Sequence, residues 1–548
     1  MSWVSALAAL PIALAIGGFV APLIGLRVKN PRVFSIYLLL FSIASTIIVM
    51  GAALRYIHTV KPAVYPFGGW PPPLGITYEI DGLNALVGPI VCTVFLAAAI
   101  YCLWYFNQIS GGADWLSALM LILMAGALGC IYTGDIFNFF VMLEVMCIAS
   151  YALVAFFRKR RWAIEASASY AFIGALATTL FLLGAIYIYA SFGTLNIADI
   201  ASKELGMNLK PFTELSGSCS HGLCFGNAAV AISVAVALML WALTFEAGIF
   251  PNNFWIPSAY SEAPSPASAM FSGIVDKVGM YGVLRLMFTL LPAGATAVSV
   301  TILGMPYRYL VLQVLAALGL VTGYLGAFLM AVQRDVKRLL AYSTISHIGL
   351  MFMTLAAATV PSIAALAVAS IVYHMATHAF GEALLFMALG ALATVYGTKR
   401  LDDLAGLGKR HPALMAAIVA GLISLLGMPP FGGFFSKYMM FLALIKSGFV
   451  GYAASIVIVS GISAIGYFRV IYTLALLKPR IAEARRVGVS TSVSCWILVA
   501  ALLGLGALFI SGALTPVLLH VVGFSATKKG VEVYALSAAR VAASLIPR

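Results

Sequence analysis

Residues 240–285 read LWALTFEAGIFPNNFWIPSAYSEAPSPASAMFSGIVDKVGMYGVLR, and Glu246 and Lys277 lie inside parts of this stretch that are otherwise apolar enough to cross a bilayer. The apolar span 228–260 has 33 residues. As one straight helix it would reach about 50 Å, whereas the hydrocarbon core is about 30 Å thick. Gly248 and Pro251 therefore predict a helix that is interrupted inside the membrane, with Glu246 near mid-depth. Lys277 lies near the middle of the next span, and buried charges of this kind are candidates for function.

Composition extends this prediction to the whole chain. Of the 548 residues, 63% are hydrophobic and 9% are charged, which excludes an ordinary soluble globule. The apolar segments follow one another with short loops, and the first is expected to be a permanent helix rather than a signal peptide. We predict an all-α polytopic membrane protein of about 14 transmembrane helices, with helices 1–3 in 1–113, helices 4–8 in 114–292, helices 9–13 in 293–478, and helix 14 with the tail in 479–548.

The net charge of +14 would favour nucleic-acid binding in a soluble protein. Here the Lys and Arg residues concentrate in alternate loops, as the positive-inside rule requires. We therefore expect both termini outside the cell (plasma) membrane and no nucleic-acid partner. The basic cytoplasmic loops are expected to contact anionic lipid of the bilayer or an acidic partner subunit.

The seven cysteines have no CxxC motif and no metal-ligand spacing. Cys219 and Cys224 flank His221 in a polar loop assigned to the oxidising side, where either a disulfide or a free pair is expected. No phosphate loop, dinucleotide fingerprint, iron–sulfur motif or haem attachment site occurs, so we predict no cofactor and no metal. The chain is not expected to carry electrons by itself.

A second interruption resembles the first. The apolar segment 412–446, the twelfth predicted span, carries GMPPFGG at 427–433. This is the same relative place as that of GIFP (248–251) in the apolar span 228–260, the seventh predicted span. Gly/Pro-broken segments in matching positions are typical of inverted-repeat transporters and mark their ion sites. We therefore predict discontinuous helices seven and twelve, and two inverted five-helix repeats formed by spans four to eight and nine to thirteen.

Further ionisable residues are placed near mid-membrane by their spacing. Glu144 lies nine residues after Asp135, about 13.5 Å along a helix that begins near the surface. If Glu144 and Glu246 approach each other, both cannot ionise cheaply and one holds a proton. A structural carboxylate is the alternative for Glu144. Arg285 and Arg469, at matching span ends, are expected to be interface anchors.

One helical face of span eleven carries three titratable groups. His374, His378 and Glu382 are spaced i, i+4, i+8 and line this face over about 12 Å. Three such groups favour a relay over isolated core residues, and a zinc site is a weaker alternative because HxxxH usually needs a third ligand. His347 on span ten and Lys437 on span twelve complete a predicted row through the centre.

Five stretches carry a family resemblance: DIFNFFVMLEVMCIASYALV (135–154), AGIFPNNFWIPSAYSEAPSPASA (247–269), DVKRLLAYSTISHIG (335–349), HMATHAFGEALLF (374–386) and LLGMPPFGGFFSK (425–437). At these residues the chain closely resembles the antiporter-like subunits shared by respiratory complex I, Mrp-type cation/proton antiporters and membrane-bound energy-converting hydrogenases. The resemblance implies a 14-helix fold with two inverted five-helix repeats, half-channels joined by a central polar axis, and membership of a larger assembly with other membrane subunits.

The resemblance also assigns residues. Glu144 matches the family's span-five glutamate, Lys277 its span-eight lysine and Lys437 its span-twelve lysine, while the central-axis positions are matched by His347, His374 and His378. The chain departs from the family at Glu246 and Glu382, where relatives commonly have lysine, and at Ser169. These departures allow an acid-rich site that holds a proton or sodium between Glu144 and Glu246, and equally a subunit that no longer pumps.

The sequence thus predicts a proton- (or sodium-) translocating, non-redox membrane subunit of a redox-driven complex of the NADH/quinone oxidoreductase or hydrogenase type. A subunit of a stand-alone Mrp-type antiporter and a non-transporting structural subunit are the alternatives. The predicted translocation residues are Glu144, Glu246, Lys277, His347, His374, His378, Glu382 and Lys437. The coupled ion, the electron donor and the partner subunits are left open.

Overall fold

The computed structural model describes residues 3–207, 209–216, 228–292, 301–302, 304–481, 483 and 485–545, apart from the side chains of 214–216, 228 and 229. Cys219 and Cys224 lie outside these residues, so their predicted disulfide stays a prediction. The described chain is almost entirely helical, with two short antiparallel hairpins formed by β1 (Ala63–Pro66) with β2 (Thr77–Ile80) and by β3 (Thr301–Ile302) with β4 (Met305–Pro306).

The first part of the chain contains twelve α-helical segments in the described ranges: α1 (Trp3–Arg27), α2 (Pro31–Thr59), α3 (Asn84–Tyr105), α4 (Ala113–Tyr132), α5 (Ile136–Val154), α6 (Arg161–Phe192), α7 (Ile197–Glu204), α8 (Lys210–Ser216), α9 (Ala228–Ala247), α10 (Ile256–Glu262), α11 (Ser265–Met270) and α12 (Asp276–Arg285). A π-helical turn, Phe271–Val275, joins α11 to α12, and a second, Leu286–Leu290, extends α12. One continuous helix therefore spans 265–290.

The second part of the chain is also built from helices, which in the described ranges are α13 (Tyr307–Val332), α14 (Val336–Thr354), α15 (Pro361–Tyr396), α16 (Pro412–Leu426), α17 (Gly432–Lys446), α18 (Val450–Ile471), α19 (Val489–Ile510), α20 (Leu514–Pro516) and α21 (Lys528–Leu545). Short 3-10 turns, Ala155–Phe157 and Leu355–Thr359, extend α5 and α14. A π-helical turn, Tyr472–Leu476, extends α18.

Twelve helices in the described part of the chain are long and apolar enough to cross a membrane, namely α1–α6, α9, α13–α15, α18 and α19. Helices suit hydrocarbon because each satisfies its own backbone groups internally. Two shorter apolar helices in the described part of the chain are Pro412–Leu426, which is α16, and Leu514–Gly523. The prediction of a polytopic all-helical membrane protein is confirmed, whereas the count of 14 crossings stays a prediction.

Both predicted helix interruptions are present. Helix α9 is followed directly by Gly248 (φ 83°), and the amides of Gly248 and the next residue both donate to the carbonyl of Thr244, at 3.0 Å. Helix α16 is followed in the same way by Gly427 (φ 89°), where two successive amides donate to the carbonyl of Ile423 at 3.1 Å. The left-handed conformation that closes each helix is available to glycine because it has no Cβ.

A buried cluster of charges joins the end of α12 to the first hairpin. Arg285 donates to Asp81 at 2.5 Å and to the hydroxyl of Tyr281 at 2.7 and 3.1 Å. Beside it, the Tyr534 hydroxyl of α21 lies 2.7 Å from both carboxylate oxygens of Glu79. Arg285 is thus paired inside the protein, its predicted role as an interface anchor stays a prediction, and the cluster holds α21 against the hairpin.

Glu79 makes this cluster sensitive to pH. Burial raises the pKa of Glu79 to about 7 from an ordinary 4.5, against the opposing effect of Arg285. Because the folded state holds this proton more tightly than the unfolded state, its contribution to stability is present below pH 4.5 and is lost as the pH rises to about 7. Glu79→Gln removes the titration, so we expect the variant to gain up to about 3 kcal/mol on the wild type between pH 4.5 and 8.

Thermal unfolding of the purified protein at several pH values measures this gain. Glu483→Gln is the control, since the Glu483 side chain is 76% exposed. A stability difference between Glu79→Gln and wild type that is the same at pH 5 and pH 8 contradicts the prediction.

Glycines bring α13 and α14 into direct backbone contact. A Cβ at Gly349 of α14 would lie only 2.3 Å from the backbone nitrogen of Gly323 on α13. By contrast, a Cβ at Gly461 of α18 would meet no atom within 4 Å. The α13–α14 interface therefore leaves no room for a side chain at position 349.

Gly349→Ala is accordingly expected to force the two helices apart and to lower the free energy of unfolding by about 1–3 kcal/mol, the usual cost of overpacking. The matched substitution Gly461→Ala has no atom to displace and is expected to leave stability unchanged or slightly raised. Unfolding curves of the two variants test this, and equal stabilities contradict the proposed contact.

Candidate functional site

Lys277 lies at the centre of the site. It is fully buried on α12, and its ammonium group contacts Asp276 Oδ1 at 2.8 Å, the Ser272 carbonyl at 2.8 Å and His378 Nδ1 at 2.7 Å. An ammonium group has three N–H donors, and here each has an acceptor. A protein interior tolerates a charge only when it is paired and hydrogen-bonded in this way.

The predicted histidine row is present and buried. His347 Nδ1 and His374 Nε2 are 3.0 Å apart with their rings stacked, and the ring of His378 lies 4.9 Å from that of His347. His374 Nδ1 in turn contacts the Ser436 hydroxyl at 3.0 Å. All three histidines are buried. The three rings therefore lie in a row from Lys277 to the residue that precedes Lys437. No hydrogen bond joins His378 to His347 among the described residues, and His378 Nε2 has no hydrogen-bond partner.

Glu382 joins this row through hydroxyl groups. The Ser343 hydroxyl donates to Glu382 Oε1, lies 2.6 Å from the Tyr467 hydroxyl, and Tyr467 lies 3.2 Å from His347 Nε2. Glu382 Oε1 is also 3.9 Å from His378 Nε2. Hydroxyls both donate and accept, so this branch can change the direction of its hydrogen bonds without moving heavy atoms.

Lys437 is held by the broken helix. Its ammonium group donates to the carbonyls of Leu425 and Leu426, at 2.7 and 3.2 Å, and to the Ser460 hydroxyl at 2.9 Å. The last carbonyls of a helix have no partner within that helix, so the interruption after α16 supplies acceptors for a buried cation. Within the described residues Lys437 makes no salt bridge. The carboxylate of Glu382 contacts Ser343 and not Lys437.

Glu246 forms the opposite end of the site. It is buried, Cys147 Sγ donates to its Oε2 at 3.5 Å, and its Oε1 has no hydrogen-bond partner. Glu144 is half-buried one turn before Cys147 on the same face of α5. The carboxylates of Glu144 and Asp276 both interact electrostatically with Glu246. No hydrogen bond joins Glu144 to Glu246 in the described chain, so their expected approach stays a prediction.

The interval between Glu246 and Lys277 has polar atoms without protein partners. Helices α9 and α12 nearly touch here, since a Cβ at Gly279 would lie 2.4 Å from the Ala247 nitrogen. Glu246 Oε1, Asp276 Oδ2 and the buried Tyr260 hydroxyl all have no hydrogen-bond partner. Such atoms in native proteins usually bind ordered water. This interval is where internal water is expected.

Asp276 is the main site residue that the sequence analysis missed. The signal was an acid next to Lys277 inside an apolar span, and the structure pairs the two side chains directly. Ser343, Ser436 and Tyr467 gave no signal because hydroxyl residues are common in helices of any kind. Within the described ranges no group of three or more His, Cys, Asp or Glu residues could hold a metal ion.

The Asp276–Lys277 pair yields a stability prediction. Lys277→Met leaves a buried, unpaired carboxylate and is expected to cost about 3–5 kcal/mol, whereas Asp276→Asn/Lys277→Met removes both charges and is expected to cost less than the sum of the single changes by at least about 1 kcal/mol. Chemical unfolding of the four proteins measures this coupling. The exposed pair Glu483–Arg485 is the control, with an expected coupling below about 1 kcal/mol. Additive effects at Asp276 and Lys277 contradict the pairing.

Comparison with known proteins identifies the family of the chain. Residues 133–463, more than half of the chain, match the family model described as NADH:quinone oxidoreductase/Mrp antiporter, TM. This range includes every predicted translocation residue.

Two curated relatives have the same sequence identity to this chain. The NADH-quinone oxidoreductase subunit N of Desulforudis audaxviator is 33% identical over 413 residues, 75% of each chain. The D subunit of the Na(+)/H(+) antiporter of Alkalihalophilus pseudofirmus is 33% identical over 383 residues, 69% of each chain.

Among solved structures, a chain of the membrane-bound sulfane sulfur reductase, an archaeal respiratory membrane complex, superposes with a TM-score of 0.80 at 28% identity. The match covers 99% of this chain and 100% of that one. Family model, sequence identity and fold lead to one conclusion: the chain belongs to the NADH:quinone oxidoreductase/Mrp antiporter transmembrane family.

Proposed function

We propose that this chain is a proton- (or sodium-) translocating subunit of a redox-driven membrane complex. The observation that carries the proposal is the series of buried side chains from Lys277 through His378, His347 and His374 to Ser436, next to Lys437, in which every link except the 4.9 Å ring contact of His378 with His347 is within hydrogen-bonding distance. Buried ionisable groups are expensive in a membrane and mark ion pathways. The stability of the fold alone does not require that such groups contact one another.

The residues have distinct roles in this proposal. Glu144 and Glu246 receive the proton as the first carboxylate site, and it reaches Asp276 across the interval near Tyr260 where water is expected. Asp276, in direct contact with Lys277, passes a proton to Lys277 after Lys277 has given its own to His378. The histidines then act as a proton wire, because each neutral ring has one donor and one acceptor nitrogen. Glu382 is linked to His347 through the hydroxyls of Ser343 and Tyr467, and in this way it influences proton transfer along the wire. Lys437, on the interrupted helix, is the exit switch.

The energy for this transfer comes from other subunits. Moving one charge across the membrane costs about 2.3 kcal/mol per 100 mV. The sequence of this chain has no motif for a redox cofactor, so it cannot supply this energy alone. Its likeness to a chain of a respiratory membrane complex and to an NADH-quinone oxidoreductase subunit supports a non-redox role beside other membrane subunits.

A cation/proton antiporter subunit without a redox partner is the second candidate. It is favoured by the equal identity to the D subunit of a Na(+)/H(+) antiporter. It also fits the acidic character of the first site, where the oxygens Glu246 Oε1 and Asp276 Oδ2 are without partners, because carboxylate oxygen is the ligand type that hard cations prefer.

We propose the predicted inverted repeats and domain boundaries (1–113, 114–292, 293–478 and 479–548) as the organisation behind this pathway. Similar features recur in both halves. Asp135 and Asp335 cap α5 and α14 by the same type of side-chain bond, and each forms a bridge to the segment after the next helix, at Asn196 and Arg400. Both proposed repeats also end in a π-helical turn. We further propose both termini outside the plasma membrane, as the loop charges indicate.

Ion translocation per electron in membrane vesicles that contain the native complex tests the function. Lys437→Ala and Glu246→Gln are each expected to lower it about 100-fold, the usual contribution of a group that transfers protons. Lys446→Ala is the matched control, because Lys446 is exposed at the end of the same helix. Parental rates in Lys437→Ala and Glu246→Gln vesicles contradict the proposal. Transport that requires sodium and proceeds without an electron donor favours the second candidate.

A further inference from the structure

An open cleft lies between the α3–α4 connection and the α5–α6 connection. Its volume is about 690 Å³, within the range of small-molecule sites. Its lining includes three consecutive basic residues and several aromatic rings: Trp115, Phe156, Phe157, Arg158, Lys159 and Arg160. We refer to it as the basic cleft. It lies apart from the row of buried ionisable groups.

The charge of the basic cleft is uniformly positive. Its described lining contains no Asp or Glu. The acid nearest in sequence, Asp114, faces elsewhere, since a Cβ at Gly25 of α1 would lie 2.2 Å from its Oδ2. The Arg160 guanidinium lies over the Phe157 ring at 4.6 Å, which holds one cation in place. An anion that enters the cleft therefore meets several cations and no competing carboxylate.

The position of the basic cleft defines the kind of anion. The helices α3, α4, α5 and α6 are all candidate membrane spans, and the cleft lies where two of them end and two begin. Trp115 and Trp162, in the first turns of α4 and α6, are 59% and 66% exposed. Exposed tryptophans at span ends are typical of the headgroup level of a bilayer. The cleft thus opens beside lipid.

We propose that the basic cleft binds an anionic phospholipid, with its phosphate among Arg158, Lys159 and Arg160 and its acyl chains leaving past Trp115. The combination of cations and exposed aromatic surface at a membrane boundary fits an amphiphile. A free phosphate ion matches the basic side chains and leaves the aromatic lining uncovered. An acidic protein segment is a different occupant, which the experiment below distinguishes.

Native mass spectrometry of the full-length protein tests the site with three probes: phosphatidylglycerol, phosphatidylcholine and inorganic phosphate. Phosphatidylglycerol is expected to bind at least tenfold more tightly than phosphatidylcholine. Each removed charge is expected to weaken it about fivefold, so Arg158→Gln/Arg160→Gln loses about 25-fold. The control Arg334→Gln/Arg338→Gln removes two exposed arginines from another basic loop and is expected to lose less than twofold.

Several results overturn the proposal. The first is equal phosphatidylglycerol affinity in the two double variants. The second is full competition by inorganic phosphate at equal concentration, which indicates a free-anion site. The third is loss of a bound acidic protein from Arg158→Gln/Arg160→Gln with lipid binding intact. If that variant does not fold, photo-crosslinking of phosphatidylglycerol to the wild type decides, because labels outside 109–115 and 155–160 contradict the site.

Discussion

A charge inside hydrocarbon needs partners from the protein itself, and this requirement shapes the centre of the molecule. Lys277 satisfies it with a carboxylate, a backbone carbonyl and a histidine ring, so that one buried ammonium group ties α12 to α15. Lys437 satisfies it differently, with carbonyls released by a broken helix. Only Lys277 also contacts the next ionisable group of the row directly, His378. For Lys277, one of the interactions that make burial tolerable is thus also one that connects the row.

Glu246, at a position where the family resemblance implies lysine, is understandable in the same terms. The buried acid and base that pair in this structure are Asp276 and Lys277. Glu246 is left with a thiol donor and one unpartnered oxygen. A carboxylate in this situation is a place for a proton or a cation, whereas a lysine there would repel one. The departure from the family pattern therefore changes the first site without interrupting the row.

Much of this arrangement could be predicted from sequence because it depends on regular geometry. Helical spacing places His374, His378 and Glu382 on one face, and excess span length with Gly/Pro motifs predicts both interruptions. Contacts between distant helices could not be predicted in this way. Tyr467 joins Glu382 to His347 only because α18 packs against α14, and one sequence contains no signal for that packing. Asp276 could have been predicted, because an acid beside Lys277 in an apolar span is as costly to bury as the lysine itself.

If the proposed row from Glu246 to Lys437 conducts ions, it contains water where the protein leaves polar atoms without partners. A structure of the native complex at a resolution that shows individual waters tests this. We expect ordered water between Glu246, Tyr260 and Asp276, within hydrogen-bonding distance of their unpartnered oxygens. Dry aliphatic packing around those oxygens, with Glu246 isolated from Lys277, contradicts it.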